Sequence, residues 1–347
     1  MMNSQKRISD FDIRIGSMKR GKLNKITDVK GVKVGHYTVD NENNKTGITF
    51  INPTSNIFEN KLIAASHVIN GFGKTTGLIQ VDELGQLESP IVLTNTLSVG
   101  LVQNFLVNYT IDECEKKNIE VKTFNPVVAE CNDGFLNNIR NICFEYNDFI
   151  KAVSDAKTDF LEGDIGSGKG MSCHGLKGGI GSASRMFKID EHNYTLGVLV
   201  LSNHASLKDL TINGVGAGKK IIEKIECMEQ EDKGSIIVIF ATDLPTTSRQ
   251  LKRISKRAII GINRLGSYMG NGSGEIVIGF STAVNLNSEK SIQEIKIINE
   301  SKIDPAFRAI AEATEEAILN SMITASKVVG YRGNIRYSLR DFIHLFT

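Results

Sequence analysis

Proline is scarce in this chain: 5 of 347 residues, well under the ~5% average. Little material is therefore available for rigid linkers, and no shift in composition separates two independent halves. No apolar run approaches the ~18 residues needed to cross a bilayer. The best one, Ile236-Ile237-Val238-Ile239-Phe240, fits a buried strand. The five cysteines (114, 131, 143, 173 and 227) are odd in number and form no CxxC pair, which argues against a disulfide framework and a thiolate zinc site. The six histidines (36, 67, 174, 192, 204 and 344) never stand at HxxxH or HExxH spacing. No metal and no organic cofactor is expected, although spacing alone leaves open ligands that converge from distant segments. With 41 basic and 39 acidic residues the formal charge is only +2, so neither nucleic acid nor a membrane surface is expected as a partner. No serine lies in a G-x-S-x-G elbow, so an α/β-hydrolase triad is not signalled. Met1 to Gly16 is charged and interrupted, with no apolar signal-peptide centre; a cytoplasmic location is the expectation.

Glycine is in excess, 32 residues or about 9% against an average of ~7%. Many backbone positions thus need positive φ or close approach. Gly31 to Val39 alternates with period two, and Leu62 to Asn70 and Ile91 to Leu97 have strand character. A helix is expected from about Leu97 to Lys117. Thr195 to Ser202 and Gly234 to Thr242 are continuous apolar runs, as in strands covered on both faces. Thr247 and Ser248 can cap a helix that carries Leu251, Ile254, Ala258, Ile262 and Leu265 and closes at Gly266. A strand from Glu275 to Ser281 and a helix from about Asp304 to Ala325 complete one α/β domain spanning residues 1–347.

Gly163 to Gly170 nearly spells a phosphate-binding loop, but Gly170 follows Lys169 where a Mg²⁺-holding Ser or Thr is required, and a glycine-rich turn fits better. Arg249, Lys252, Arg253, Lys256 and Arg257 form a basic helix face without interleaved aromatics, the pattern of a solvated surface. Ser273, in Gly270-Asn271-Gly272-Ser273-Gly274, has an ordinary turn reading and a chemical one. In the second, its hydroxyl attacks the Gly272 carbonyl in an N→O acyl shift, and hydrolysis of the ester frees an α-amine. With a pKa of about 7.7–8.0, such an amine can act as a general base without any histidine.

Several stretches resemble the DmpA-type L-aminopeptidase/D-amidase/D-esterase family, which includes the β-peptidyl aminopeptidases. They are Lys25 to His36, Val127 to Gly134, Gly175 to Arg185, Gly270 to Gly274 and Ala313 to Ile318, in order over about residues 12 to 330. The resemblance implies a four-layer α-β-β-α sandwich like that of N-terminal-nucleophile hydrolases but with different strand connectivity. It implies self-cleavage before Ser273 into an α chain of 1–272 and a β chain of 273–347, and a homotetramer. The substrate would be a small peptide or amino-acid amide, hydrolysed next to a free N-terminal amino acid through an acyl-enzyme on Ser273. By the same resemblance Asn203 helps hold the oxyanion, Glu130 receives the substrate ammonium, and Asn132 occupies a substrate position where some members carry tyrosine. A supporting hydroxyl–carboxylate pair falls on Thr314 and Glu316. Residues two apart on a helix point about 200° from each other, so either the helix is irregular there or Glu315 is the nearer carboxylate. The rivals are an acyltransferase on a related scaffold, disfavoured because the ornithine acetyltransferases use threonine, and a catalytically silent protein that binds an anionic ligand at Gly163–Gly181.

Overall fold

The continuous apolar runs become the inner strands of two facing sheets. In the computed structural model, which describes residues 5–225, 234–287 and 290–346, twelve strands build or flank these sheets. In chain order they are β1 (Lys33–Asp40), β2 (Lys45–Asn52), β3 (Asn60–Gly71), β4 (Gln86–Leu87), β5 (Ile91–Asn95) and β6 (Val127–Cys131). After them come β7 (Ser172–Cys173), β8 (Leu176–Lys177), β9 (Gly179–Ile189), β10 (His192–Asn203), β11 (Ser235–Thr242) and β12 (Gly274–Asn287). The α-helices are α1 (Leu78–Leu84), α2 (Val99–Glu115), α3 (Tyr146–Ser154), α4 (Ala217–Ile222), α5 (Ser248–Ser255), α6 (Ala258–Arg264) and α7 (Asp304–Ile323). Cys227 lies outside the described residues. No helix of the described residues is long and apolar enough to cross a membrane.

One sheet has the order β1-β2-β5-β6, the other β4-β3-β12-β11-β10-β9. Successive residues of an inner strand serve two cores. On β10, Leu199 and Leu201 pack between the sheets with Ile237 and Ile239 of β11 and Ile276 and Ile278 of β12. Val198 and Val200 turn instead toward the layer of α5, α6 and α7. A third core, with Phe50, Phe105 and Phe149, lies between the smaller sheet and α2 and α3. The result is the expected α-β-β-α order. Burial on both faces explains why these strands read as unbroken apolar runs rather than alternating ones.

The outer layer is held to the larger sheet by an ionic cluster. Arg185 of β9, fully buried, donates from Nε to Glu312 Oε2 (3.1 Å) and pairs through Nη2 with Glu316 Oε2 (2.7 Å). Glu316 also receives Arg20 (3.0 Å) and Asn24 Nδ2 (2.8 Å), so one carboxylate ties the N-terminal segment and α7 to β9. At the next residue of α7, a Cβ on Gly181 of β9 would lie 1.9 Å from the Ala317 carbonyl oxygen, so glycine alone permits this approach. Unlike the one-stripe helix the sequence suggests, α7 is buried on every side from Ala309 to Ile323.

The helix expected over 247–266 is divided into α5 and α6. Ser255, at the end of α5, donates its hydroxyl back to the Leu251 carbonyl (2.9 Å), a bond that bends helices. Beyond the bend, Gly261 of α6 packs so close to α7 that a Cβ would sit 2.6 Å from the Ala311 carbonyl oxygen. The N-terminus is as expected, with Thr247 capping the Gln250 N–H. β12 runs farther than the expected Glu275–Ser281, with a register shift between Ser281 and Asn285.

Two predictions follow from this frame. Arg185→Ala leaves two buried carboxylates short of their cation and should lower stability by about 3–5 kcal/mol; an unchanged urea midpoint would contradict the assigned role. The second concerns pH. Burial holds His36, whose Nδ1 lies 3.0 Å from the Thr49 hydroxyl, down to about 4. The unfolded chain takes up this proton near pH 6.5 and the folded chain resists until about 4, so stability must fall as pH drops through that window. His36 alone should contribute a loss of about 2 kcal/mol between pH 7.5 and 5, measured as a difference in unfolding free energy against His36→Phe.

Candidate active site

β12 is an interior strand, and its first residues are fixed from both sides. Gly274 stands opposite Gly71 of antiparallel β3 and Ser235 of parallel β11. A Cβ at Gly274 would lie 2.3 Å from the Phe72 carbonyl oxygen, so this position must be glycine. Immediately before it, residues 270–273 form a tight turn in which the Ser273 N–H donates to the Gly270 carbonyl (2.8 Å). Asn70 of β3 ties down the same turn, donating from Nδ2 to the Gly270 carbonyl (3.1 Å) and to the Ser273 carbonyl.

Ser273 is fully buried, and its hydroxyl donates to Glu275 Oε1. The pairing follows from the strand period, since residues two apart emerge on one face. Glu275 and Asn70 are the residues that motif reading overlooks. The period-two signal for Glu275 was present in the sequence; nothing local to Asn70 marks it, because it reaches the turn only through the β3–β12 register.

Gly272 lies in the wall of a cavity of about 310 Å³ together with Phe72, Lys74, Glu130, Asn132 and Ser235. Glu130 ends β6. Its Oε1 accepts the Lys74 N–H (2.9 Å) and its Oε2 the Thr96 hydroxyl, which fixes the carboxylate at the cavity rim. Asn203 ends β10, where its Oδ1 accepts the Ser172 N–H (2.8 Å) and its Nδ2 donates to the Asn132 carbonyl (3.0 Å). An amide nitrogen carries two hydrogens, so among the described residues one donor of Asn203 remains. Asn132 contributes mainly backbone, its own Oδ1 being turned to the Gly134 N–H (2.9 Å). Cys131 is no rival nucleophile: burial, reinforced by the Glu130 carboxylate, pushes its thiol well above the ordinary range.

Ser273, Gly272, Glu130, Asn132 and Asn203 thus gather at one end of the sandwich. Thr314 and Glu316 do not join them. Glu316 belongs to the Arg185 cluster, and Arg185 stands opposite Leu196, seven residues before Asn203 on β10, or roughly 23 Å along the strand. Thr314 faces α6, where a Cβ on Gly261 would lie 2.8 Å from the Thr314 Cβ. The alternative carboxylate, Glu315, pairs with Arg264 of α6 (3.1 Å). The three side chains diverge as helical geometry requires, and the structure does not bring Thr314 and Glu316 to the Ser273 end.

The Gly163–Gly181 loop offers no anion site. Lys177, buried, donates to the carbonyls of Gly168 (2.9 Å), Met171 (2.8 Å) and Gly178 (2.8 Å). Lys169 is taken by Asp40 (2.7 Å) and Asp164 (3.1 Å). Next to Asn203, however, Cys173, His174 and His204 gather with ligand atoms within 4.8 Å of one another, a convergence that linear spacing does not reveal.

Comparison with known proteins matches residues 24–336 to peptidase family S58. A β-peptidyl aminopeptidase, BapA of Sphingosinicella xenopeptidilytica, is 35% identical over 334 residues, covering 89% of this chain and 83% of that protein. Among solved structures, the PH0078 protein from Pyrococcus horikoshii superposes with a TM-score of 0.92 at 45% identity, covering 98% of both chains. The L-aminopeptidase D-Ala-esterase/amidase from Ochrobactrum anthropi, described as a prototype of the serine aminopeptidases and a variant of the Ntn hydrolase fold, superposes with a TM-score of 0.88 at 32% identity, again over 98% of both chains.

Proposed function

The chain belongs to peptidase family S58, and on that premise we propose that it is a self-processing serine aminopeptidase, with Ser273 as nucleophile of both self-cleavage and catalysis. The observation that carries the site assignment is the placement of the Gly272–Ser273 bond: Gly272 lines the cavity while the Ser273 hydroxyl is hydrogen-bonded to buried Glu275.

In the intact chain Glu275 takes the hydroxyl proton as Ser273 Oγ attacks the Gly272 carbonyl carbon. The C–N bond then breaks, the departing nitrogen takes up a proton, and an ester joins Gly272 to Ser273 Oγ. Water hydrolyses that ester, leaving a Gly272 carboxylate and a Ser273 with free hydroxyl and free α-amine. The pieces are 1–272 and 273–347, the second of 347 − 272 = 75 residues. The new amine, titrating near neutrality, serves as base for the same hydroxyl in later turnovers.

A substrate with a free N-terminus places its ammonium at Glu130, a charge-assisted pairing that selects aminoacyl ends over internal peptide bonds. Its scissile carbonyl then lies at Ser273, with the remaining Nδ2 donor of Asn203 directed at the developing oxyanion. A donor of this kind is worth about 3–4 kcal/mol in a transition state. Acyl transfer to Oγ releases the amine product, and water releases the amino acid. The homotetramer implied by the resemblance is retained in this reading and is measurable as the mass in solution.

Intact mass after expression tests the first step. The unaltered chain should appear as two pieces and Ser273→Ala as one of 347 residues; a wild-type chain that stays whole would refute self-processing. Glu275→Gln should slow cleavage by about 10²-fold or more, the range of a general base, seen as precursor persisting over time. Cleavage at the wild-type rate would remove Glu275 from the mechanism. In the processed enzyme, Glu130→Gln should cost about 10- to 100-fold in kcat/KM, chiefly in KM, the worth of a charged hydrogen bond; equal KM values would place the ammonium elsewhere.

A further inference from the structure

We infer that Cys173, His174 and His204 form a Zn²⁺ site that clamps the β7–β8 hairpin to the end of β10, directly behind Asn203. The three side chains are buried, at 0%, 0% and 2% exposure, and their ligand atoms lie within 4.8 Å of one another. Cys173 Sγ is 3.7 Å from His204 Nδ1, and the two imidazole rings meet edge to face with centroids 5.6 Å apart. A single ion at zinc's bonding distances, about 2.0–2.3 Å to nitrogen and sulfur, needs its donors this close.

The second shell agrees with the first. His174 Nδ1 lies 3.1 Å from the Ser206 carbonyl, which can only accept, so Nδ1 carries the proton and Nε2 is the nitrogen of this ring that could ligate a metal. Among the described residues, His204 Nε2 is buried without a hydrogen-bond partner. One thiolate and two imidazoles form a borderline-soft donor set suited to Zn²⁺, with a fourth position for water or another donor.

Its position assigns its role. Ser172, which precedes Cys173, donates its N–H to Asn203 Oδ1, and His174 donates its N–H to the His204 carbonyl (2.8 Å). The ligands therefore come from two segments already paired beside the oxyanion donor. They are not among the residues of the cavity wall, so the ion acts on Asn203 through backbone and is a positioning element rather than a catalytic one.

The inference stands apart from the peptidase reading and is tested on the full-length Ser273→Ala chain as well as on wild type. After stripping with chelator and dialysis against Zn²⁺, each should hold about one zinc per chain by mass spectrometry, and zinc should raise the melting temperature. Replacement by Co²⁺ should produce a thiolate-to-cobalt charge-transfer band in the near ultraviolet. Cys173→Ser should abolish that band, and His204→Phe should weaken zinc binding by at least about tenfold. Since the cobalt spectrum and zinc content need no ligand variant, a misfolded variant does not shield the proposal. A wild-type chain with substoichiometric zinc and no charge-transfer band would overturn it, whatever the outcome for self-cleavage.

Discussion

Everything at the candidate site depends on β12 being hydrogen-bonded on both sides, to β3 and to β11. An edge strand could fray at its first residue. An interior one cannot, because Gly274 is held by two neighbours whose register is set along their full length. The Gly272–Ser273 peptide bond therefore sits where a rigid strand begins and a constrained turn ends. This is the geometry in which a side chain can be held against its own backbone. The parallel β11–β12 pairing requires a crossover, supplied by α5 and α6, and so brings the helical layer over the same sheet.

The helical layer answers a different requirement. α7 is buried all round, which is costly for a helix carrying Glu312, Glu315 and Glu316 unless each carboxylate finds a cation. Arg185, Arg20 and Arg264 provide them, and Gly181 and Gly261 let neighbouring backbone approach closely enough for these pairs to form. Charge and close packing are thus one device, located far down the strands from Ser273. The active end is instead organised by neutral amide donors, Asn70 and Asn203, and by the paired hydroxyl and carboxylate of Ser273 and Glu275.

Much of the frame was legible in the sequence. The apolar runs at 195–202 and 234–242 announced strands covered on both faces, and the glycines around Ser273 announced a tight turn. What escaped had particular physical causes. Ser255 bends its helix through a side-chain bond that propensity does not register. Glu316 lies in a motif beside residues of the resemblance, yet its partner, Arg185, is more than a hundred positions away. The helical angle between Thr314 and Glu316 left two readings, an irregular helix or Glu315 as the nearer carboxylate; α7 is continuous over Asp304–Ile323, and its Glu315 and Glu316 pair with Arg264 and Arg185. Cys173, His174 and His204 are scattered until the β7–β8 hairpin folds against the end of β10.

Cleavage before Ser273, as proposed above, would change the molecularity of folding, because the two pieces interleave. The segment from 273 to 347 contains both β12, wedged between strands of the longer segment, and α7, the most enclosed helix of the fold. Neither has a core of its own. Before the cut, one chain collapses on itself and folding is independent of concentration. After it, an unfolded molecule must find its complement by diffusion, while two sets of orphaned apolar strands compete to aggregate. Cleavage at the turn before Ser273 would thus convert a reversible folding equilibrium into a kinetic trap, and the cut form would persist by the slowness of its unfolding.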